Sequence, residues 1–365
     1  MIILKRFALV ILVLVAGGGL AMAQTEEEPG DATLDDSAAA QRPLEMGDEQ
    51  MMLDGMCAED CYPAPWRARL FAGAEYRHIR PHFSEAVAFA TVTDSIGATG
   101  FSRRVAAHEL DFDYESSMRL FLGYHLNDCA DVRLTYWYLD AETFVSGTAG
   151  AGQTIVDPFG NLGPTGTEIG ATATVQMNVF DLEYLRPIGN NCDGLGFLYS
   201  AGLRFADVSQ FYDSTISAAG AVTSNGVFEV DYFGVGPYLS LTGDIRRGQC
   251  RQFSLFAKGA MALLVGQYDV STDVTLTGAS GGQTADRVRT TPVLESELGV
   301  AWLPNDRVRF TAGWLFQAWF NLGTSGGTFD GEQLPIAPVD TAFGGADDAD
   351  IMSFDGLFLR AEIGY

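Results

Sequence analysis

Apolar and polar residues alternate along most of the chain beyond residue 67. The clearest example is RVRFTAGWLFQAWF, in which every second residue from Val308 to Phe320 is apolar. The intervening positions include Arg307, Arg309 and Gln317. Residues two apart lie on the same face of a β-strand, so the segment predicts a strand with one apolar face and one polar face.

Ten segments carry this pattern, and helical periodicity does not compete with it beyond the N-terminal region. The alternation changes phase in two segments, near Val179 and Phe180 and near Tyr232 and Phe233. An extra residue in one strand of a pair produces such a change, so we predict β-bulges at both places. The segments are 68–78, 109–126, 131–144, 171–186, 195–208, 227–243, 252–267, 292–303, 307–320 and 351–365.

Short and long connections alternate between these segments. The pattern is typical of outer-membrane barrels, which have short periplasmic turns and long extracellular loops. We therefore predict an all-β fold, a transmembrane antiparallel β-barrel of about ten strands with eight to twelve allowed, whose chain ends are both periplasmic. The short connections are 127–130, 187–194, 244–250 and 303–307, and the long ones are 79–108, 145–170, 209–226, 268–291 and 321–350.

Aromatic residues near both ends of the apolar faces favour this barrel over a secreted β-sandwich, which would also alternate. Girdles of aromatic residues mark the two lipid–water interfaces of a membrane barrel. The segments are also longer than the ~5–6 residues usual for strands of globular proteins. The predicted girdle consists of Tyr124, Tyr138, Tyr184, Trp302, Phe320 and Tyr365.

The N-terminal region predicts export to the outer membrane. Lys5 and Arg6 precede an apolar run that ends at Ala21-Met22-Ala23, which is the pattern of a cleaved secretory signal peptide. The next residues are acidic and lack the apolar side chains needed to offset the entropy of ordering. No later stretch reaches the ~20 apolar residues of a membrane-spanning helix. The predicted division is a signal peptide at 1–23, an acidic disordered periplasmic leader at 24–66 and the barrel at 67–365.

The charge balance excludes nucleic acid as an expected partner. The chain has 22 basic and 47 acidic residues, for a formal net charge of -25. Binding to phosphate backbones requires a basic face.

The polar strand faces supply candidates for lining the lumen. A barrel of ~8 strands holds only side chains and a wide channel needs ~16, so ten strands predict a narrow lumen. If the lumen conducts, the acidic cluster of Glu109, Asp111, Asp113, Glu229 and Asp231 predicts cation preference near its mouth. The pore-lining candidates are Glu109, Asp111 and Asp113; Arg119 and Arg133; Lys258, Glu295 and Glu297; Arg307, Arg309, Arg360 and Glu362; and Glu229 and Asp231. Further inward candidates are Arg69, Glu75, Arg77, Glu183 and Arg204.

Two C-terminal stretches resemble a known family. SELGVAWLPNDRVRFTAGWLFQAWFNLG (296–323) and DIMSFDGLFLRAEIGY (350–365) look like the last hairpin and last strand of the Legionella-type major outer membrane protein family. ELDFDYESSMRLFLGYHLNDCADVRLTYWYL (109–139) is similar to an early hairpin of that family. These are pore-forming barrels that also occur in many planctomycete-like sequences. The resemblance implies a Gram-negative outer-membrane barrel with porin-like permeation, and it transfers no catalytic residue.

The predicted function is therefore porin-like passive permeation of ions or small solutes through a narrow lumen. The alternative is a non-conducting structural or surface-interaction barrel that displays its extracellular loops. Expected partners are outer-membrane lipids and the barrel-assembly machinery, which would read the C-terminal strand ending at Tyr365. The sequence also allows a homo-oligomer.

One constellation has the residue types of a catalytic site. HELDFDYE places His108 beside Glu109, Asp111 and Asp113 near the predicted extracellular rim, and a histidine next to carboxylates can act as a general base. A charged, solvated rim explains the same residues, and no Gly-x-Ser-x-Gly nucleophile motif accompanies them. We expect no enzymatic activity, no metal site and no cofactor.

The cysteines all fall on the predicted periplasmic side. Cys57 and Cys61 precede the first segment, and Cys129, Cys192 and Cys250 lie in three of the short turns. The periplasm is oxidising and permits disulfides. All five are disulfide candidates, with Cys57 or Cys61 expected to bond a turn cysteine; one thiol must stay unpaired or bond another chain.

Thiol counting tests this hypothesis. The denatured, unreduced protein is expected to react with fewer than five equivalents of a thiol reagent, because at least one pair of cysteines is oxidised. Five reactive thiols would rule out an internal disulfide.

Overall fold

The computed structural model describes residues 70–364, except 85–86, 98–99, 128–129, 189–194, 248–252, 277–278, 306 and 324–349. The predicted signal peptide and leader, Arg69, Tyr365 and all five cysteines lie outside the described residues. In the part of the chain that is described, no helix is long and apolar enough to cross a membrane.

Fourteen β-strands make up the described structure. Ten of them form a closed barrel: β1 (Leu70–Phe83), β4 (Glu115–Asn127), β5 (Ala130–Thr148), β8 (Thr167–Ile188), β9 (Leu195–Ala218), β10 (Ala221–Arg247), β11 (Phe253–Leu276), β12 (Ala279–Asn305), β13 (Val308–Gly323) and β14 (Asp350–Gly364). The other four form a small sheet in the order β3-β2-β6-β7: β2 (Val87–Gly97), β3 (Gly100–Glu109), β6 (Gln153–Val156) and β7 (Leu162–Gly163).

The first and last strands close the barrel. β1 runs antiparallel to β14 from Phe71 opposite Gly364 to Phe83 opposite Met352, and its other edge pairs with β4. All the remaining barrel strands pair antiparallel with their neighbours, in the order β1-β14-β13-β12-β11-β10-β9-β8-β5-β4. The predicted ten-stranded antiparallel barrel is confirmed.

Two predicted loops are strand. Residues 209–226 belong to β9 and β10, which are joined by a two-residue turn at Ala219 and Gly220. Both turn residues have positive φ, 50° and 79°, and glycine tolerates this without steric cost. Residues 268–276 and 279–291 likewise belong to β11 and β12. The barrel wall therefore rises well above the membrane on the side formed by these strands.

The β-bulge predicted near Val179 is absent from β8, whose described pairing with β5 and β9 is continuous there. The strand keeps its alternation of inward and outward side chains, but along its length the polar residues change from the inward face to the outward face. In the lower part Glu183 points into the lumen and Leu182 points outward, but higher up Met177 is fully buried and Gln176 is exposed. The change in apolar phase therefore marks the level at which the outer face leaves the lipid.

β10 shows the same exchange. Tyr232 and Val230 are buried inside, whereas Asp231 and Glu229 between and beside them are exposed on the outer face. The β10 pairings with β9 and β11 show no register shift near Tyr232. The one register shift in these pairings lies between Val222 and Ser224. The bulge predicted near Tyr232 is therefore also wrong.

Segment 109–126 is shorter as a strand than predicted. β4 begins at Glu115, so residues 110–114 are not part of the wall, and Glu109 ends β3 of the small sheet. Phe112, expected on the lipid side, is instead buried and packs on Phe83 with ring centroids 5.5 Å apart.

Described parts of two connections, which contain β2 and β6, pack inside the extracellular end of the barrel against inward residues of its wall. Ala88 and Phe89 of β2 and Ile155 of β6 are fully buried in one apolar cluster with inward residues of the wall. The Tyr212 hydroxyl of β9 donates a hydrogen bond to the Ala88 carbonyl oxygen at 2.6 Å. Phe159 lies against β10 so closely that a Cβ on Gly226 would sit 2.1 Å from its ring.

A buried carboxylate holds the β6–β7 turn in place. Asp157 accepts hydrogen bonds from the backbone N–H groups of Phe159 and Asn161 at 3.1 and 2.7 Å. It also accepts from Asn161 Nδ2 at 2.7 Å and from Ser214 Oγ of β9 at 3.1 Å. Burial raises the pKa of the Asp157 carboxyl, and these hydrogen bonds oppose that shift. The turn is thus fastened to the wall of the barrel.

The exposed apolar band on β11 has the height of a membrane. Outward residues from Phe253 to Val265 are apolar or glycine, and Gln267 and Asp269 follow on the same face. At ~3.4 Å per residue and a tilt of about 40°, this stretch rises roughly 30 Å, close to the ~25 Å lipid-facing band of outer-membrane barrels.

Arginine substitutions test this boundary. Met261→Arg places a charge inside the band and is expected to lower the free energy of unfolding by about 2–4 kcal/mol. Thr275→Arg, on the same face of the same strand but above the band, is expected to change it by less than about 0.5 kcal/mol. Urea unfolding of both variants in lipid vesicles measures the difference, and equal effects would contradict the assigned boundary.

Candidate functional site

Inward-facing charged side chains form a layer across the middle of the lumen, here called the ionic layer. It contains six basic and five acidic residues, most of them almost completely buried. Buried charges are tolerated only when paired and hydrogen-bonded, so the partners of each side chain decide whether the layer is stable. The members are Glu75, Arg77, Arg119, Arg133, Asp181, Glu183, Arg204, Lys258, Glu295, Glu297 and Arg360.

Glu297 of β12 lies at the centre of this layer. Its carboxylate accepts hydrogen bonds from Arg360 at 2.6 Å, Lys258 at 3.3 Å and Arg119 at 3.3 Å, and Arg77 lies 3.9 Å away. These cations come from β14, β11, β4 and β1. β4 and β12 are four strands apart around the ring of ten, so the contact with Arg119 crosses the lumen.

Arg204 of β9 makes a second set of contacts across the lumen. Its guanidinium donates two hydrogen bonds to Asp181, at 2.6 and 2.8 Å, in the bidentate geometry that makes such pairs strong. It also pairs with Glu295 of β12, which accepts from Gln317 of β13 at 2.8 Å. The guanidinium carbon lies 4.6 Å from the centre of the Tyr238 ring of β10.

Glu183 is fully buried and satisfied on several sides. Arg133 donates to both of its carboxylate oxygens at 3.0 Å, and Ser200 Oγ donates at 2.8 Å. Ser200 is also within hydrogen-bond distance of Ser240 of β10, at 2.7 Å. Eight of the ten barrel strands supply members of the ionic layer, and the other two, β10 and β13, supply the polar neighbours Ser240 and Gln317.

Glu75 connects the closing strands. Its carboxylate pairs with Arg77 on the same strand and with Arg360 on β14. Closer to the periplasmic turns, Arg309 pairs with Asp244 at 3.1 Å. The interior therefore remains charged and paired down to the lower end of the barrel.

Aromatic rings fill the space around these lower pairs. Phe121, Phe256 and Phe358 are buried inside the barrel, and the last two meet edge to face with centroids 6.1 Å apart. The Phe71 ring lies over Gly123 of β4, where a Cβ would be 2.0 Å from it. Within the described residues, aromatic rings, ion pairs and the apolar cluster thus occupy successive levels of the lumen.

The pore-lining candidates separate into two groups. Eight of them point into the barrel, but the acidic group expected at the pore mouth does not. Asp231 and Glu229 are exposed on the outer face, because β10 has left the lipid at that height. The inward candidates are Arg119, Arg133, Lys258, Glu295, Glu297, Arg309, Arg360 and Glu362.

Four other candidates are exposed and lie outside the barrel strands. Glu109 and Asp113 are exposed, and Asp111 is exposed and pairs with Arg80 of β1. Arg307 is exposed in the turn before β13. Glu229 and Asp231 therefore cannot line the lumen, and the predicted cation preference stays a prediction that depends on Glu109, Asp111 and Asp113.

Asp181 is the member of the ionic layer that sequence reasoning missed. It lies two residues before Glu183 on β8 and is 2% exposed. The available signal was its position two residues from Glu183, which places both side chains on the same face of the strand. The expected β-bulge near Val179 left the facing of that part of the strand ambiguous.

The aromatic side chains predicted to form the girdles lie on the outer face. Tyr124, Tyr138, Tyr184 and Trp302 are 39–44% exposed, and Phe320 is partly buried. Trp302 stacks on Phe310 of the next strand with ring centroids 5.8 Å apart.

Among the described residues, the His108 side chain contacts a hydroxyl group and an aromatic ring. Its Nε2 lies 3.0 Å from Thr91 Oγ1, and its ring stacks on Phe89 with centroids 4.4 Å apart. Asp111 is occupied by Arg80. On the same hairpin, the Arg103 guanidinium donates to Asp94 at 2.7 and 2.9 Å, which lowers the pKa of that carboxyl.

The fold and the interior define an outer-membrane β-barrel. The family model described as Legionella pneumophila major outer membrane protein precursor matches residues 71–363. The chain belongs to this family. The planctomycete-like affinity expected from the sequence stays a prediction, and no curated protein matches the chain significantly.

Solved barrels resemble the chain only distantly. The outer membrane protease OmpT of Escherichia coli is 11% identical, with a TM-score of 0.42, over 81% of this chain and 96% of that protein. Neisserial surface protein A is 9% identical, with a TM-score of 0.25, over 82% and 99%. Ail, the attachment invasion locus protein of Yersinia pestis, is 9% identical, with a TM-score of 0.23, over 82% and 100%. Likeness at this level carries no argument about activity.

Neutralising one carboxylate tests the ionic layer. Glu297→Gln leaves Arg360, Lys258 and Arg119 with an uncompensated buried charge, so we expect it to lower the free energy of unfolding by about 3–5 kcal/mol. The control Glu362→Gln removes a partly exposed carboxylate 3.9 Å from Arg309 and is expected to cost less than about 1 kcal/mol. Denaturant unfolding in micelles compares the two, and equal losses would contradict the central place of Glu297.

Proposed function

We propose that this protein is a non-conducting outer-membrane barrel that displays extracellular β-structure for interaction at the cell surface. The observation that carries the proposal is that ion pairs of the ionic layer join strands three and four positions apart around the ring of ten. Arg119 of β4 reaches Glu297 of β12 at 3.3 Å, and Arg204 of β9 reaches Glu295 of β12. A permeating ion would have to separate these buried pairs.

The extracellular end adds a second barrier. Tyr212 binds the β2 backbone inside the wall, and Gln210 Nε2 of β9 donates to the Leu322 carbonyl oxygen of β13 at 2.6 Å. Apolar side chains surround both contacts. An apolar constriction without water opposes the passage of ions.

The display side of the proposal rests on exposure above the membrane. Residues 102–109 of β3 and 279–288 of β12 have exposed side chains throughout. β3 pairs along its length with β2, whose Ala88 and Phe89 are buried, and this part of β12 pairs with β11, so a partner would meet strands held by hydrogen-bonded neighbours. Such surfaces lose little conformational entropy on binding.

Porin-like permeation remains the alternative prediction, and it requires the ionic layer to open. The chain is proposed to have no enzymatic activity, because His108 and its neighbouring carboxylates do not form a general-base pair. Insertion into outer-membrane lipids is part of the proposal, and assembly through the C-terminal strand stays a prediction.

Electrical recording tests the proposal directly. The purified full-length protein, reconstituted into planar bilayers, is expected to give no stepwise conductance, because the paired side chains fill the lumen. Flotation of the same preparation with vesicles confirms insertion. Reproducible single-channel steps from inserted protein would overturn the non-conducting assignment and support the porin alternative.

A matched variant sharpens this experiment. Arg119→Ser combined with Glu297→Ser removes a contact across the lumen and shortens both side chains, so conductance is expected to rise above that of the parent protein. Leu263→Ser on the lipid face leaves the lumen unchanged and serves as the control. Equal conductance of the parent and the double variant, at a level clearly above the bare bilayer, would show that ions bypass the ionic layer.

A further inference from the structure

A groove crosses the lipid-facing side of the barrel wall, at the strands that close the barrel. Its volume is about 520 Å³, which lies within the range of ~300–1,000 Å³ typical of small-molecule sites. Alanines form its floor: Ala74 of β1 lies opposite Ala361 of β14, and Ala312 of β13 lies opposite Leu359. The outer surface of the wall is therefore recessed at these strands.

Larger side chains border the groove on both sides. Tyr76 and Leu359 lie on its extracellular side, and Phe310 and Trp302 lie on its periplasmic side. All four are 44–59% exposed, so they project from the wall. A chain in the groove would contact the floor and both borders, whereas a chain on the convex surface elsewhere contacts the barrel on one side only.

The groove lies in the part of the wall that faces hydrocarbon. Among the described residues that line it, the outward side chains are apolar apart from the Tyr76 hydroxyl and the Trp302 indole N–H. Association within lipid gains no hydrophobic driving force, so packing contacts decide what occupies such a groove. A hydrocarbon chain is the thin apolar occupant that the bilayer itself supplies.

The length of the groove accommodates one such chain. From Trp302 on β12 to Met118 on β4 the groove crosses four steps between neighbouring strands, which at ~4.8 Å each amount to about 19 Å. The hydrocarbon core of a bilayer is ~30 Å thick and two chains deep, so one chain spans ~15 Å of it. The groove therefore holds a single chain along most of its length.

A second copy of the barrel fits the groove less well than a lipid chain does. A stable interface between proteins buries ~800 Å² on each partner. Two convex barrel walls touch along a narrow strip, and the alanine floor lies below the side chains that border it. A second barrel would therefore rest on Tyr76, Leu359 and Trp302 and leave the floor uncovered.

The polar groups at the two ends of the groove indicate the leaflet from which the chain comes. Trp302 lies three residues before the periplasmic end of β12, and among the described residues its indole N–H has no hydrogen-bond partner. An indole at this depth meets the headgroup and ester oxygens of the nearby leaflet. At the other end the Tyr76 hydroxyl lies 2.9 Å from Ser116 Oγ. The available donor is thus at the periplasmic end.

We propose that this groove binds one acyl chain of a phospholipid from the periplasmic leaflet of the outer membrane, and that the Trp302 indole N–H donates a hydrogen bond to an ester or phosphate oxygen of the same lipid. The alanine floor admits the chain, and Trp302 fixes its direction. The proposal does not depend on whether the lumen conducts.

Native mass spectrometry tests the proposal on the full-length protein released from micelles that contain phosphatidylethanolamine. We expect one lipid to stay bound to each chain under conditions that remove the others, because its chain has contacts on three sides. Ala312→Leu with Ala361→Leu fills the floor and is expected to reduce retention at least about tenfold. No retained lipid on the parent protein would overturn the proposal.

A matched double variant controls for added bulk on the lipid face. Ala201→Leu with Ala257→Leu makes the same change on the outward faces of β9 and β11, away from the groove, and should retain the lipid as the parent does. Equal loss of lipid from the two double variants would overturn the assignment to the groove. Far-UV circular dichroism melts confirm that each variant is folded.

The polar contact has its own test. Trp302→Phe keeps an aromatic ring and removes the N–H, so retention of phosphatidylethanolamine is expected to fall about fivefold. Unchanged retention would overturn the assigned direction of the lipid.

The same spectra distinguish the other occupants. Added lipid A, a lipid of the outer leaflet, is expected to leave phosphatidylethanolamine bound. Replacement of phosphatidylethanolamine by lipid A would reject the periplasmic leaflet as the source. A dimer that carries no lipid would show that a second copy covers the groove and would overturn the proposal.

Discussion

Closure of the barrel is the constraint on which the rest of the structure depends. Backbone groups inside a bilayer have no water to bind, so each strand needs a partner on both sides, and β1 must meet β14. A closed wall with apolar residues outside leaves alternate residues inside, where lipid cannot reach. If those residues were also apolar, the exported chain would carry strands apolar on both faces before insertion, a pattern prone to aggregation. Charged inward residues avoid this, but each must then be paired once the barrel closes.

The ionic layer meets that requirement by connecting strands that are distant around the ring. Together, the ionic layer and the lower residues Arg309, Asp244 and Glu362 comprise seven basic and seven acidic residues in the membrane-level part of the described interior. The chain as a whole has a net charge of -25, so this balance is specific to the interior. Buried ion pairs contribute little net stability compared with apolar packing, but breaking one is costly. The layer therefore opposes separation of the walls, and an apolar cluster lies above it.

Within the membrane, apolar and polar residues alternate strictly. From this pattern the sequence predicts the ten strands and their order, and it predicts that Glu297 and Arg360 point inward. Above the membrane the same alternation continues, but the outward residues are polar because they meet water. The inward residues there are apolar because they pack against β2 and β6. This exchange explains the two bulges predicted wrongly, the two strand extensions predicted as loops, and the placement of Asp231. Contacts across the lumen were not predictable, since they depend on the stagger of strands that lie far apart in sequence.

Contact across the lumen is the feature on which the non-conducting barrel depends, and a double-mutant cycle measures it most directly. Arg119 and Glu297 come from strands four positions apart around the barrel and lie 3.3 Å apart. Unfolding free energies of the parent, Arg119→Gln, Glu297→Gln and the double variant give their coupling energy in micelles. A filled lumen predicts a coupling of at least about 1 kcal/mol, whereas additivity within about 0.3 kcal/mol would mean that water separates the two walls and would contradict the account.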